Sequence, residues 1–225
     1  VGNATADTIN GGAGADTITG GAGADTITGD AGADVFLIAA AADHATGETI
    51  VGGADADTIR FTSTTASETL ALLAGVTDAD NAITVEISDA AGANTGTTAL
   101  NVNADALVDT LVVTLIGNDG DNVLVGNATA DTINGGAGAD TINGEAGADT
   151  ITGGAGADTI TGGAGEDTII LTETSSAADV VVINAVVGTS EDSGRKTISG
   201  NANDTGDDTI TGFAVGTDTV KISAS

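Results

Sequence analysis

Residues 117–170 read GNDGDNVLV, GNATADTIN, GGAGADTIN, GEAGADTIT, GGAGADTIT and GGAGEDTII, nine-residue units that follow one another without an insertion. Glycine opens every unit, an acid or amide stands sixth (Asn122, Asp131, Asp140, Asp149, Asp158, Asp167), and a large aliphatic stands eighth. The Thr-Ile-Thr or Thr-Ile-Asn half is β-branched with its apolar residue in the middle, which predicts a short strand with one face inward. The Gly/Ala/Asp half is glycine-dense where a tight turn needs φ > 0. So short a strand is not stable alone, and stacked copies solve the problem. With two units per coil, Leu124, Ile142 and Ile160 line one sheet, and Ile133, Ile151 and Ile169 the other. The turns then stack into two ladders of carboxylates, one along each edge. A low-complexity linker would not place an aliphatic at every eighth position.

Carboxylates brought one coil apart repel when partly desolvated. The chain's only cations are Arg60, Arg195, Lys196 and Lys221, all outside this block. A divalent ion is the remaining candidate. Aspartate oxygens and carbonyls from flexible glycine turns are hard ligands that suit Ca²⁺ better than Zn²⁺ or Mg²⁺.

These units resemble the RTX (repeats-in-toxin) nonapeptide G-G-x-G-x-D-x-U-x, a Ca²⁺-binding β-helix repeat. The resemblance is closest at Gly135–Asn143 and Gly153–Thr161. It implies a right-handed parallel β-roll binding several Ca²⁺ ions through sixth-position side chains: Asp131, Asp140, Asp149, Asp158 and Asp167, with Asp119 and Asn122 in the first unit. It also implies carbonyl ligands from the glycine turns, at Gly135, Ala137, Gly144, Ala146, Gly153, Ala155, Gly162 and Ala164.

The same theme opens the chain as GNATADTIN, GGAGADTIT, GGAGADTIT and GDAGADVFL over 2–37. By the same resemblance Asp7, Asp16, Asp25 and Asp34 are ligands, with carbonyls of Gly11, Ala13, Gly20 and Ala22. Val1–Ile18 is identical to Val125–Ile142, an internal duplication. ETIVGGADADTIRF (48–61) and DTITGFAVGTDTVKI (208–222) resemble the segments that close RTX β-rolls, which adds Asp55, Asp57 and Asp218 as ligands. The expected organisation is all-β, with two duplicated roll modules (1–61 and 117–225) joined by a β-rich connecting region (62–116).

That connecting region contains AITVEISD, TTALNVN and DTLVVTLIG, which run in strand fashion as further coils or a small sandwich. Ser67–Leu73 reads as a short helix or irregular strand. Asp78-Ala-Asp80-Asn81 begins like an EF-hand loop but lacks its glycine, so a polar turn is expected. Residues 38–47 read as a helical turn or loop, with the single His44 exposed and inert. Asp179–Val187 reads as a buried strand, 189–196 as a polar loop and 200–208 as an acidic turn. Three N-x-T patterns (Asn3, Asn127, Asn203) are attributed to chance.

The net charge is −29 over 225 residues, which argues against nucleic-acid and anionic-membrane partners. No segment resembles a transmembrane span. Cys is absent and three Phe are the only aromatics, so stability must come from stacked aliphatics and bound ions. Met is absent too, and the chain opens inside a repeat, as a processed piece of a larger polypeptide would. No H-E-x-x-H, G-x-S-x-G or Walker motif occurs, so no catalytic activity is expected. The composition resembles RTX-type bacterial surface-layer proteins. The expectation is an extracellular or cell-surface structural protein, exported by type I secretion, that forms a homo-oligomer or polymer. The alternative is a calcium-dependent folding and secretion module of a larger exoenzyme, toxin or adhesin.

Overall fold

The computed structural model describes residues 1–108, 110–171, 177–183, 209–211 and 219–222. Within them the chain winds as a β-solenoid with parallel strands, the parallel β-roll that the repeat implies. One wall is a nine-stranded sheet from Thr17–Ile18 to Thr209–Thr211. The opposite wall has two sheets: four strands (Thr8–Ala13, Thr26–Ala31, Thr49–Ala54, Val76–Thr77), then seven running from Thr69–Ala71 to Thr219–Ile222.

Register follows the sequence period. Leu124 pairs with Ile142 and Ile142 with Ile160; Ile133 pairs with Ile151 and Ile151 with Ile169 on the nine-stranded wall. Each of these side chains is buried. The column continues outside the nonapeptides, where Phe36 pairs with Ile59 and Ile59 with Val85. One apolar stack therefore runs between the walls, each buried aliphatic contributing about 1.5–3 kcal/mol.

Residues between the repeat blocks add to the same walls. Ala82–Ile87 and Val112–Ile116 lie in the nine-stranded sheet, and Thr69–Ala71 and Asn101–Asn103 in the seven-stranded one. Their coils are longer than the repeat coils, yet the inward residues keep register: Val85 pairs with Leu115 and Leu115 with Ile133. Of the two forms open to 62–116, the described residues take that of continued coils. Ser67–Leu73 holds the strand Thr69–Ala71, and residues 38–47 hold a single 3-10 turn at Ala41–Asp43. Arg60 and Glu86, neighbours in register, form an ion pair on the outer face of the wall.

At Thr69–Thr77 one coil divides its wall segment. Thr69–Ala71 pairs forward with Asn101–Asn103, whereas Val76–Thr77 pairs backward with Ile50 and Val51. Leu73 lies between these half-strands, and its N–H donates to Nε2 of His44 at 3.3 Å. His44 is therefore buried, not exposed as expected. With Nε2 accepting, the ring proton sits on Nδ1, 3.8 Å from the buried Glu48 carboxylate. The histidine supplies an acceptor at the point where the wall is split.

Val180–Ile183 is a strand with Val181 buried, as expected for the start of 179–187. Asp218, Asn203, the loops at 189–196 and 200–208, and residues 184–187 lie outside the described residues.

Candidate metal centres

Each nonapeptide turn is built around its first glycine. A Cβ on Gly135 would lie 2.4 Å from both Asp140 Oδ2 and the carbonyl oxygen of Gly153 in the next coil. On Gly144 it would lie 2.3 Å from Asp149 Oδ2 and 2.4 Å from the Gly162 oxygen. Only glycine fits, because a carboxylate of its own turn and a carbonyl of the next coil close over the same spot. The second and fourth residues of these turns adopt φ > 0, as at Gly136 and Gly138 (+104° and +110°). Asp30, Asp55 and Glu145 hold such a conformation without being glycine.

The sixth-position aspartates form rows along the edges. Oδ1 of Asp140 accepts from the N–H of Asn122 at 2.7 Å, Asp149 from Asp131 at 2.8 Å, Asp158 from Asp140 at 2.9 Å and Asp167 from Asp149 at 3.0 Å. The N-terminal block repeats the arrangement: Asp25 accepts from Asp7, Asp34 from Asp16 and Asp57 from Asp34, each at 2.8 Å. One carboxylate oxygen thus ties each coil to its predecessor.

The second oxygen is different. Oδ2 of Asp16, Asp25, Asp34, Asp57, Asp140 and Asp149 is buried and has no hydrogen-bond partner. Burial pushes the Asp140 carboxyl up to about 7, with the charges of Asp158 and Asp121 adding to the effect. Burial likewise lifts Asp149 to about 8, reinforced by Asp167 and Asp131. A charged carboxylate in such a place needs compensation. No three acidic, histidine or cysteine side chains among the described residues form a metal cluster, so the remaining donors are backbone carbonyls. Buried carboxylate oxygens facing glycine carbonyls across adjacent coils are the hard oxygen donor set that Ca²⁺ takes. The residues present fit the ion.

Turns with asparagine second offset part of the charge from within, although burial still lifts the Asp131 carboxyl. Asp131 Oδ2 accepts from the Asn127 N–H at 2.8 Å, while its Oδ1 accepts from Val113 N–H and the Thr129 hydroxyl, both at 3.0 Å. The Asn127 amide donates to the Leu111 carbonyl. Asp7 is held likewise, by the N–H and side-chain amide of Asn3. Asn122 accepts from the Asn118 N–H and donates to the carbonyl of Leu100. None of these asparagines has the positive φ of its glycine counterparts. The backbone there turns an N–H toward the sixth residue.

Asp55 and Asp119 are exposed and stand apart from the buried rows. The carbonyls of Ala155 and Ala164 accept from the N–H groups of Gly138 and Gly147 in the preceding coil. Asp78, expected in a polar turn only, is buried and faces Asp57. No spacing in the sequence marks it, since its coil is not a nonapeptide coil.

Fold and site together define a calcium-binding parallel β-roll, a structural domain and not a catalytic fold. Residues 1–36, 45–60, 116–151 and 144–171 match the family described as RTX calcium-binding nonapeptide repeat (4 copies). Those stretches make up a little under half of the chain; repeats of this kind bind Ca²⁺ at multiple sites, and the proteins that carry them are typically secreted. A search of curated proteins found no match to the chain. No described helix is long and apolar enough to cross a membrane.

Proposed function

We propose that this chain is an extracellular structural solenoid, without catalytic activity, that folds on calcium binding and then self-assembles as part of a surface layer, fibre or matrix. The observation that carries this reading is the buried rows of aspartates, in which Oδ2 of Asp16, Asp25, Asp34, Asp140 and Asp149 has no hydrogen-bond partner. Asp16, Asp25, Asp34, Asp57, Asp140, Asp149, Asp158 and Asp167 are the side-chain ligands. The carbonyls of Gly29, Gly52, Gly153 and Gly162 lie across the coils from Asp16, Asp34, Asp140 and Asp149 in turn. Bound Ca²⁺ supplies positive charge to the rows; Arg60 is engaged elsewhere, with Glu86.

Without that charge the aspartates repel one another and hold the coils apart. Such a chain stays unfolded in calcium-poor cytosol, which suits export through a type I channel. Outside, at calcium of about millimolar concentration, the rows are neutralised. The coils then close on one another and bury the Ile/Leu/Val stack. Support for a structural role comes from residues 62–116, whose described strands extend the two walls instead of forming a separate unit. Support for assembly is the composition, which resembles RTX-type surface-layer proteins.

Calcium titration with light scattering tests this reading. Growth of large particles along with the β-signal is expected. β-signal with scattering fixed at monomer size would instead assign the chain to the folding of a larger secreted protein.

A further inference from the structure

At the end of one edge ladder the donor pattern changes. A Cβ on Gly11 would meet Asp16 Oδ2 at 2.9 Å and the Gly29 carbonyl at 3.0 Å. On Gly29 it would meet Asp34 Oδ2 at 2.1 Å and the Gly52 carbonyl at 2.5 Å. On Gly52 it would meet Asp57 Oδ2 at 2.4 Å and, in place of a carbonyl, Asp78 Oδ2 at 2.2 Å. The last rung of this ladder pairs two carboxylates.

Both side chains are held for that encounter. Asp57 Oδ1 accepts from the N–H of Asp34, and Asp78 Oδ1 accepts from the N–H of Asp80, each at 2.8 Å. The segment carrying Asp78 is docked by Val76–Thr77 against Ile50 and Val51, and by the Ala79 N–H on the Gly53 carbonyl. Asp57 is 1% exposed and Asp78 8%, and the buried Oδ2 of each has no partner other than the facing carboxyl. Both oxygens point at one place above Gly52. Two carboxylates cannot share a buried spot fully ionised unless a cation lies between them.

We propose that Asp57 and Asp78 form a separate divalent-cation site, selective for Ca²⁺ and tighter than the one-carboxylate rungs, that terminates the N-terminal ladder. It rests on the calcium reading of the ladders, and adds a ligand from outside the nonapeptides. A second full charge strengthens attraction for a divalent ion relative to a carbonyl dipole, and net ligand charge is a main determinant of calcium affinity. The site also ties the irregular coil at 62–81 to the repeat block, so calcium there orders a segment that the repeat itself does not specify.

Native mass spectrometry of the full chain in graded calcium chloride counts the ions. Asp78→Asn keeps the acceptor for Asp80 and removes the charge; Asp80→Ala removes an exposed charge from the same turn and serves as control. Asp78→Asn is expected to bind one ion fewer than the parent chain and to lose the first ion taken up, while Asp80→Ala keeps the full count. Circular dichroism confirms that each variant folds in excess calcium. If Asp78→Asn is folded and takes up the same number of ions, the pair shares a proton and not a cation, and the inference fails while the ladder reading stands. If the parent chain takes up no calcium, both fail together.

Discussion

The Asp149 carboxylate accepts a 2.8 Å hydrogen bond from the backbone N–H of Asp131 in the preceding coil, and its other oxygen is buried facing the turn of its own glycine, Gly144. One side chain thus joins two coils and offers a charge between them. Asp149→Asn keeps the acceptor and removes the charge. It should raise the calcium needed for half-folding by about ten-fold or more, the equivalent of a charge-assisted contact of about 1.5–3 kcal/mol. In chelator the same variant should hold more β-structure than the parent. Circular dichroism in calcium and in EDTA reads both, and unchanged calcium dependence would remove Asp149 from the ligand set.

The raised carboxyls give the ion-free roll a definite pH dependence. Asp140 and Asp149 ionise at about 7 and about 8 in the roll, against an ordinary value of 3.8. The unfolded chain therefore gives up these protons at lower pH than the roll does. Their contribution to stability is full below about pH 4 and is lost as pH rises through 7 to 8. In EDTA, acidification from pH 8 to pH 5 should restore β-signal. A roll that loses β-signal on acidification would contradict the assignment.

Glu145 occupies a turn position with φ +76°, where its counterparts Gly136 and Gly154 have +104° and +107°. A non-glycine residue there costs about 1–3 kcal/mol. Glu145→Gly should raise the thermal midpoint of the calcium-loaded chain by several degrees. Gly154→Ala should lower it, since its Cβ would fall 2.0 Å from the Gly136 carbonyl. Differential scanning calorimetry of the two variants checks the opposite signs.

His44 holds the split wall through the Leu73 N–H and lies beside the buried Glu48. His44→Ala leaves the Leu73 N–H without its acceptor and should cost about 1–3 kcal/mol. Thermal melts in saturating calcium measure the loss. A drop confined to calcium affinity, with no loss of stability at saturation, would contradict the structural role.

Much of this molecule was legible from the nonapeptide alone. A fixed period forces identical residues into register, so the stacking of Leu124 on Ile142 and Ile142 on Ile160 followed from counting. The aspartate rows followed from the same count. Three features did not. His44 meets Leu73, and Asp78 meets Asp57, across coils of irregular length, where no interval in the chain marks a contact. The asparagine turns put Asn3, Asn118 and Asn127 where the repeat has its second glycine. Their effect depends on a change of backbone sign that turns an N–H toward the sixth residue, and residue identity alone does not show that. The connecting region kept the alternation of strands but no period, which left its wall membership to the structure.

Far-UV circular dichroism of the purified chain at pH 7.5, titrated from EDTA into millimolar calcium with magnesium as control, tests the central claim most directly. A cooperative gain of β-signal with calcium, absent with magnesium and reversed by chelator, is the predicted result. A chain already fully β-structured in EDTA at that pH, and unmoved by calcium, would show that the buried aspartates are compensated in some other way and contradict the account.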